Sequence, residues 1–511
     1  MKELGDRTSF ALAFQLRDDP DPASPAEVRA SWGSIQIWIS GLNITTGVTA
    51  AGQAVDSAEC PLLPIASWFL NHWDPLFHEE RLPQKDSASS SAEWHTTVLY
   101  SEVDESKFET LIDQRLAWWS RHGLGAALPD FRIPDVHFRR RDADVEISWS
   151  DAEWRDLRSG VQLSVQPGVA SVPIATVCDV VEAWCLAVVD ELRDRVDVRA
   201  LTRTLAELRA EDRTLPRLQL AAGLNGLETA ARGIRRMAGL LDGDVTQTVK
   251  QLLGVSSHTK QGTNRLYATL TIPVLLYRSA QPNLSEADLQ CLMRLADDME
   301  QGSAPGFDAV HNPTRCPLSA EAATQSGYEL ARTLRRMRDL PLTEPLTSGY
   351  DLENVVLRAL AIDVQEVTLV DRGVEGVAIW RPHHLPRIAI NSTGRFSSTP
   401  WGRRMTLVHE LCHLISDGTT EIGVGMVSNS WAPALLERRA NAFAAMFLAP
   451  PAAIEKVLNP EPEQWKRPDL VNAMRRLGIG ATTLCRHLQN LGWISREDSI
   501  AWIEQLVNRD E

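Results

Sequence analysis

The 511-residue chain has no cysteine framework. Its seven cysteines, Cys60, Cys178, Cys185, Cys291, Cys316, Cys412 and Cys485, are thinly spread, odd in number and form no CxxC pair. That pattern reads as reduced thiols, not as a disulfide scaffold. Long apolar runs are also missing. Stretches such as Ala268–Tyr277 fall far short of the roughly 20 residues that a bilayer-spanning helix needs. The opening residues, MKELGDRTSFALAFQLRDD, are broken by charges and have no signal-peptide core. Positive charge is in deficit, with 52 Lys and Arg against 67 Asp and Glu, a net of −15. A chain this acidic is not expected to cover duplex DNA over a broad face, because neutralising phosphates takes surplus cations. No Walker A, no GxGxxG after a strand and no GxSxG elbow occurs. These absences lead to the expectation of a soluble cytoplasmic protein without membrane or main DNA partners. The remaining composition, 44% hydrophobic and 23% charged, is ordinary for folded domains.

At roughly 100–200 residues per domain, the length suggests about three domains. Tryptophan marks the clearest shift along the chain. Ten of the 16 lie at or before Trp184, six at or after Trp380, and none between. The expected class is a multidomain α+β protein. Residues 1–195 read as an α+β domain with a sensor or substrate-selection role. Ser34–Ile44 and Asp144–Trp149 alternate as strands do, and Pro64–Trp73, Ser106–Trp119 and Ile174–Val196 have helical spacing. Ser87–Ala92 reads as a flexible loop. Residues 196–345 read as a helical regulatory region, with helices over Leu201–Leu208, Leu218–Leu241, Val245–Leu253, Ser285–Gln301 and Ala320–Met337. Residues 346–511 form the third segment, whose own charge is near −2, so nearly all the acidity lies in the first two.

The third segment carries the chemistry. His409-Glu410-Leu411-Cys412-His413 places two histidines at i and i+4, on successive turns of one helix face. From there both imidazoles can reach one Zn²⁺ at about 2.0–2.1 Å. Glu410 follows the first ligand and can address an attacking water from the same helix. Thr399 suits the N-cap, Pro400 the first helical position and Gly418 the stop. Downstream, Pro433–Leu448 reads as a second helix on which Glu437 can supply a third ligand and Asn441, one turn on, can orient a ligand histidine. Ala440, Ala444 and Ala445 would let helices approach closely.

With these elements in order, the C-terminal third resembles the ImmA/IrrE family of zinc metallopeptidases. The resemblance rests on Ile388-Ala389-Ile390-Asn391, on Arg403 through His413, and on Glu437 through Ala444 closing at Leu448 and Pro450. It implies a mainly helical, zincin-like metallopeptidase domain with a small sheet. It further implies His409, His413 and Glu437 as zinc ligands and Glu410 as general base. Three positions depart from the family's pattern: Cys412 stands where Gly is usual, Met405 where Phe is, and Asp417 where His is common. None removes a ligand or the base, and Cys412 reads as a small buried filler.

Other expectations concern the surroundings of the site. Arg387–Asn391 is expected to offer a sheet edge on which an extended substrate can pair. Arg486 and His487 are candidates for stabilising an oxyanion, as are His383 and His384. Arg139–Arg141 and the cluster Arg332, Arg335, Arg336 and Arg338 read as solvated basic faces. His72, Trp73, His78, Glu79 and Glu80 read as core and loop.

The resemblance implies an endopeptidase acting on a protein partner, in this family typically a helix-turn-helix repressor cleaved in a stress, phage or mobile-element response. Two other readings stand beside it. One is a non-catalytic regulator with structural zinc. The other is a toxin or antiphage effector with the same protease chemistry and a different substrate. Leu218–Met237 is considered as a remnant helix-turn-helix.

Overall fold

The computed structural model describes residues 1–49, 51–83, 90–97, 105–131, 133–150, 161–163, 165–208, 214–223, 266–267, 271–280, 284–347, 350–420, 422–429, 432–459 and 461–507. The chain divides into two compact units, Met1–Leu270 and Thr271–Glu511. The segment expected to be one helical region, 196–345, is thereby shared between them. The expected helix over 245–253, most of that over 218–241, and with it the candidate helix-turn-helix, lie outside the described residues.

The first unit is mixed α and β. Lys2–Asp6, Phe10–Leu16 and Trp32–Ile39 form an antiparallel sheet, which Leu42–Asn43 and Ala58–Pro61 extend by pairing with the third strand. A second antiparallel sheet joins Asp135–Arg141, Asp144–Ser150 and Gly168–Pro173. Helix Ile174–Leu192 follows directly, and its Val177, Val181, Trp184, Cys185 and Val188 are fully buried, as their helical spacing requires. Aromatic edges knit the core. Trp184 meets Phe14 at 5.9 Å and Phe69 at 6.1 Å between ring centroids, and Phe69 meets Phe138 at 5.6 Å. The loop expected at 87–92 gives way at Ser91 to a short helix, Ser91–Thr97.

Arg139–Arg141 is not a solvated face. All three arginines are buried in the strand Asp135–Arg141. The chain supplies partners far away in sequence: Arg139 donates to the Glu80 carbonyl, Arg140 to that of Phe77, and Arg141 pairs with Glu146 at 2.8 Å. A buried cation is tolerated only when paired in this way. Arg335 of the second basic cluster is likewise buried, donating to the carbonyls of Phe447, Pro341 and Glu344. The residues around His78 are core, as expected. Trp73, His78 and Glu79 are buried, and Glu79 accepts from Arg121 and His122.

The second unit is mainly helical around one sheet. Its four strands run in the order Asp363–Val367, Arg387–Asn391, Gly376–Trp380 and Val424–Ser428, with the first pair parallel and the others antiparallel. Arg387–Asn391 is therefore interior, hydrogen-bonded on both sides, and offers no edge. Its parallel neighbour, Asp-Val-Gln-Glu-Val, is too polar to announce itself as a strand. The outer strand nearest the site helix is Val424–Ser428. Helix Ile272–Ser279 packs over it, with Ser279 Oγ accepting from the Val427 amide at 3.0 Å. Among the described residues no helix is long and apolar enough to cross a membrane.

Candidate metal centre

The motif helix spans Pro400–Ser416. Thr399 caps it, its hydroxyl accepting from the Gly402 amide at 3.1 Å, and Pro400 occupies the first turn. At the far end, Gly418 turns with φ +71°, a conformation that suits glycine. The last carbonyls of the helix are also met. His311 reaches the Leu414 carbonyl at 2.9 Å, and the amides of Asn312 and Thr314 reach those of Ile415 and Ser416. Every residue from Thr406 to Ser416 is buried.

The second helix, Ala434–Leu448, starts after Pro433. Ala440, Ala444 and Ala445, expected to let it approach the motif helix, are buried, and a further partner that the sequence did not announce, the helix Ala320–Met337, packs closely on it at Arg439, Ala442 and Phe443. A side chain on Gly327 of that helix would meet the Arg439 carbonyl oxygen and the Phe443 amide, so only glycine fits the contact. This packing fixes the rotation of the second helix and hence the direction of Glu437.

The two helices bring together His409, His413 and Glu437. The Nε2 atoms of the histidines are 3.0 Å apart. Glu437 Oε2 lies 3.3 Å from His409 Nε2, and Oε1 lies 3.4 Å from His413 Nε2. Ligands at about 2.0–2.1 Å from a tetrahedral ion stand about 3.3 Å from one another. The two imidazole nitrogens and the two Glu437 oxygens facing them, 3.0–3.4 Å apart, are close to that spacing.

The opposite ring atoms settle which form the imidazoles take. His409 Nδ1 donates to Asn441 Oδ1 at 3.2 Å, the contact expected of Asn441. His413 Nδ1 donates to Asp417 Oδ2 at 2.5 Å. Both acceptors lack a proton to give, so in the neutral rings both Nε2 atoms carry lone pairs. Two lone pairs and a carboxylate facing one another at such distances call for a cation between them. Glu437 Oε1, buried and without a hydrogen-bond partner, fits the same demand. The donor set thus suits Zn²⁺. Without a cation, burial opposes ionisation of Glu437, but the facing imidazoles hold it down to about 2. Burial likewise pushes His413 down, and Glu437 overcomes it to leave the imidazole above its ordinary value.

Asp417 and Arg439 are the residues that motif reading missed. Asp417 stands where the family often has His, yet it sits one turn beyond His413 on the same face. Its second oxygen pairs with the buried Arg439. Arg439 also donates to Thr314 Oγ1 at 2.7 Å. This chain of contacts fixes His413 from behind, as outer carboxylates do in metal sites. The i,i+4 spacing of His413 and Asp417 is the signal that reveals it.

Glu410 is fully buried, and the hydroxyl of Ser428, on the outer strand, is the hydrogen-bonding side chain beside its carboxylate. Burial raises its pKa above the usual carboxylate range, and the two imidazoles pull the other way without overcoming it. Gly376 on the adjacent strand backs it closely: a Cβ there would lie 2.6 Å from Glu410 Oε1. Cys412 is a buried filler, as expected, with its thiol pushed up by burial.

The candidates for an oxyanion role lie elsewhere in the fold's own bonding. His487 is buried with both ring nitrogens engaged, one by the Tyr328 hydroxyl at 2.6 Å and one by the Ala449 carbonyl at 3.0 Å. It has none to offer a substrate. Arg486 is on the exposed face of helix Ala481–Asn490. His384 bonds to the Pro382 carbonyl in its own turn.

Two imidazoles from the motif helix and a carboxylate from a second helix thus form a candidate metal centre on a small mixed sheet, with the buried Glu410 beside it. Residues 358–489 match the family model of the IrrE N-terminal-like domain, Peptidase_M78, so this part of the chain carries a domain of the ImmA/IrrE type. The match suggests a protease and takes in every residue of the centre. No curated protein and no solved structure matches the chain.

Proposed function

We propose that the chain is a zinc-dependent endopeptidase acting on a protein partner, with His409, His413 and Glu437 as metal ligands and Glu410 as general base. The observation that carries this reading is the pair of Nε2 atoms aimed at Glu437 while Asn441 and Asp417 hold the opposite nitrogens. When bound, Zn²⁺ polarises the scissile carbonyl and acidifies an attacking water. Glu410 takes the proton released as the water attacks and passes it to the leaving amine nitrogen. Gly376 leaves Glu410 the room it occupies.

A purely structural zinc site has no use for Glu410. Burying a carboxylate beside the ligands costs stability, and a catalytic role accounts for its being kept there, which favours the enzyme over the non-catalytic regulator. The substrate class follows the ImmA/IrrE likeness: a helix-turn-helix repressor, cleaved in a stress, phage or mobile-element response. The first unit then selects the substrate or senses the trigger.

The test is a substrate trap. Glu410→Gln is expected to hold its partner in a pulldown, and the wild-type protein to cut that purified partner while the variant does not. Capture of a small helix-turn-helix protein supports the repressor reading. Growth arrest on expression, abolished by Glu410→Gln, with no such protein captured, points to an effector instead.

A further inference from the structure

The first unit contains a second cluster with the same kind of donors. We propose that His95, Asp135 and His137 form a second site for a divalent transition metal, separate from the peptidase centre. One ring nitrogen from each histidine and one Asp135 carboxylate oxygen all lie within 4.8 Å of one another. All three residues are buried, and His137 is fully so.

The strand geometry supplies two of the donors. Asp135 and His137 are i and i+2 on the strand Asp135–Arg141, so they share one face, while Val136 and Phe138 point to the apolar core on the other. The helix Ser91–Thr97 brings the third. Its start is pinned to the neighbouring strand, the Ser91 amide donating to Glu146 Oε1 at 2.6 Å and the Ala92 amide to Ser148 Oγ at 3.0 Å. This anchoring sets His95 facing His137, with ring centroids 5.4 Å apart.

His137 is arranged as a ligand. Its Nδ1 donates to the Asp135 carbonyl at 3.2 Å, which leaves the lone pair on Nε2. That Nε2 is buried, has no hydrogen-bond partner, and lies 3.9 Å from Asp135 Oδ2. Asp135 is oriented in turn. Trp119 Nε1 donates to its oxygens at 3.2 and 3.1 Å, and the Gly125 amide to Oδ1 at 3.3 Å. Outer hydrogen bonds of this kind hold a ligating carboxylate in place.

The 3.9 Å spacing of His137 Nε2 and Asp135 Oδ2 is about half an ångström wider than two ligands on one Zn²⁺ require, and the trio as a whole, within 4.8 Å, would draw together on binding. The walls are tryptophan. The His95 ring stacks on Trp119 and the His137 ring on Trp118. Two imidazoles and one carboxylate in a dry setting suit Zn²⁺ and its first-row neighbours rather than Mg²⁺ or Ca²⁺. The buried carboxylate nearest in the described residues, Glu146, is taken up by the Ser91 amide and by Arg141. The trio's role is to staple helix Ser91–Thr97 to the sheet.

The test uses the full chain with the peptidase centre removed. H409A/H413A is stripped with chelator, reloaded with Zn²⁺, dialysed and analysed for metal. It is expected to keep about one ion per chain, to give visible d–d absorption with Co²⁺, and to melt at a higher temperature with Zn²⁺ than without. Adding His137→Asn is expected to abolish all three. Circular dichroism checks that each variant is folded. Should His137→Asn fail that check, Asp135→Asn, which keeps an acceptor oxygen for Trp119 and Gly125, replaces it. A folded H409A/H413A protein that binds no zinc, or that keeps its zinc when His137 or Asp135 is also changed, overturns the proposal. Neither result bears on peptidase activity, so this inference and the proposed function fail separately.

Discussion

Two histidine–carboxylate trios stand in this chain, one in each unit, and they differ in what surrounds the ligands. At His409, His413 and Glu437 the donors come from two helices, and a fourth group, the buried Glu410, is held beside them by Gly376. At His95, Asp135 and His137 the donors come from a strand and a short helix, between tryptophan rings. Similar ligands therefore imply different work. On the proposed reading, the extra acid makes the first trio a catalytic centre, and the second trio, with no acid in that role among the described residues, is a staple.

The comparison is broken most severely by removing a ligand. Glu437→Ala is expected to bind about one zinc per chain fewer than the wild-type protein and to lose all measurable cleavage, read by metal analysis and a cleavage assay on one preparation. A more selective break is Gly376→Ala. The new methyl group displaces the Glu410 carboxylate while leaving the ligands alone, so kcat is expected to fall by about 100-fold, the usual cost of an ångström-scale misplacement, with zinc content unchanged. Asp417→Ala acts behind the ligand. It is expected to weaken zinc affinity by about 10–100-fold, measured by competition with a chelating dye. Gly327→Ala, remote from the chemistry, forces the helix Ala320–Met337 off the second helix, and a loss of about 1–3 kcal/mol is expected in denaturant unfolding.

The smallest expected effect concerns pH. Burial lowers His487 from the ordinary 6.5 to about 4. Between those values the unfolded chain binds a proton that the folded chain does not, so stability rises with pH across this window. The contribution is complete above about pH 6.5 and lost as pH falls towards 4. His487→Gln is expected to flatten that part of the Tm–pH profile, and an unchanged slope would remove His487 as its source.

Legibility in the sequence followed the distance between partners. The motif helix was readable to its caps because Thr399, Pro400, the i,i+4 histidines and Gly418 all lie within one local pattern. The second helix announced itself by its flanking prolines and by Glu437 and Asn441 one turn apart. Asp417 was within reach of the same rule and was passed over as a mere departure from the family's residue. What failed depended on long-range pairing. Arg387–Asn391 reads as an edge until the polar strand Asp363–Val367 pairs with it. Arg139–Arg141 reads as solvated until Glu80, Phe77 and Glu146 arrive from elsewhere. The second trio was invisible for the same reason: His95 is about 40 residues from its partners, and no helical spacing links them.

The central claim is that the second unit holds zinc for catalysis by Glu410. It is tested most directly by measuring zinc and cleavage on the same sample of Glu410→Gln, using the partner captured by the trap. The expected result is zinc retained at the wild-type level with the rate reduced by about 10²–10⁴-fold, the usual share of a general base. Cleavage at the wild-type rate, or wild-type protein that binds no zinc at His409, His413 and Glu437, would contradict it.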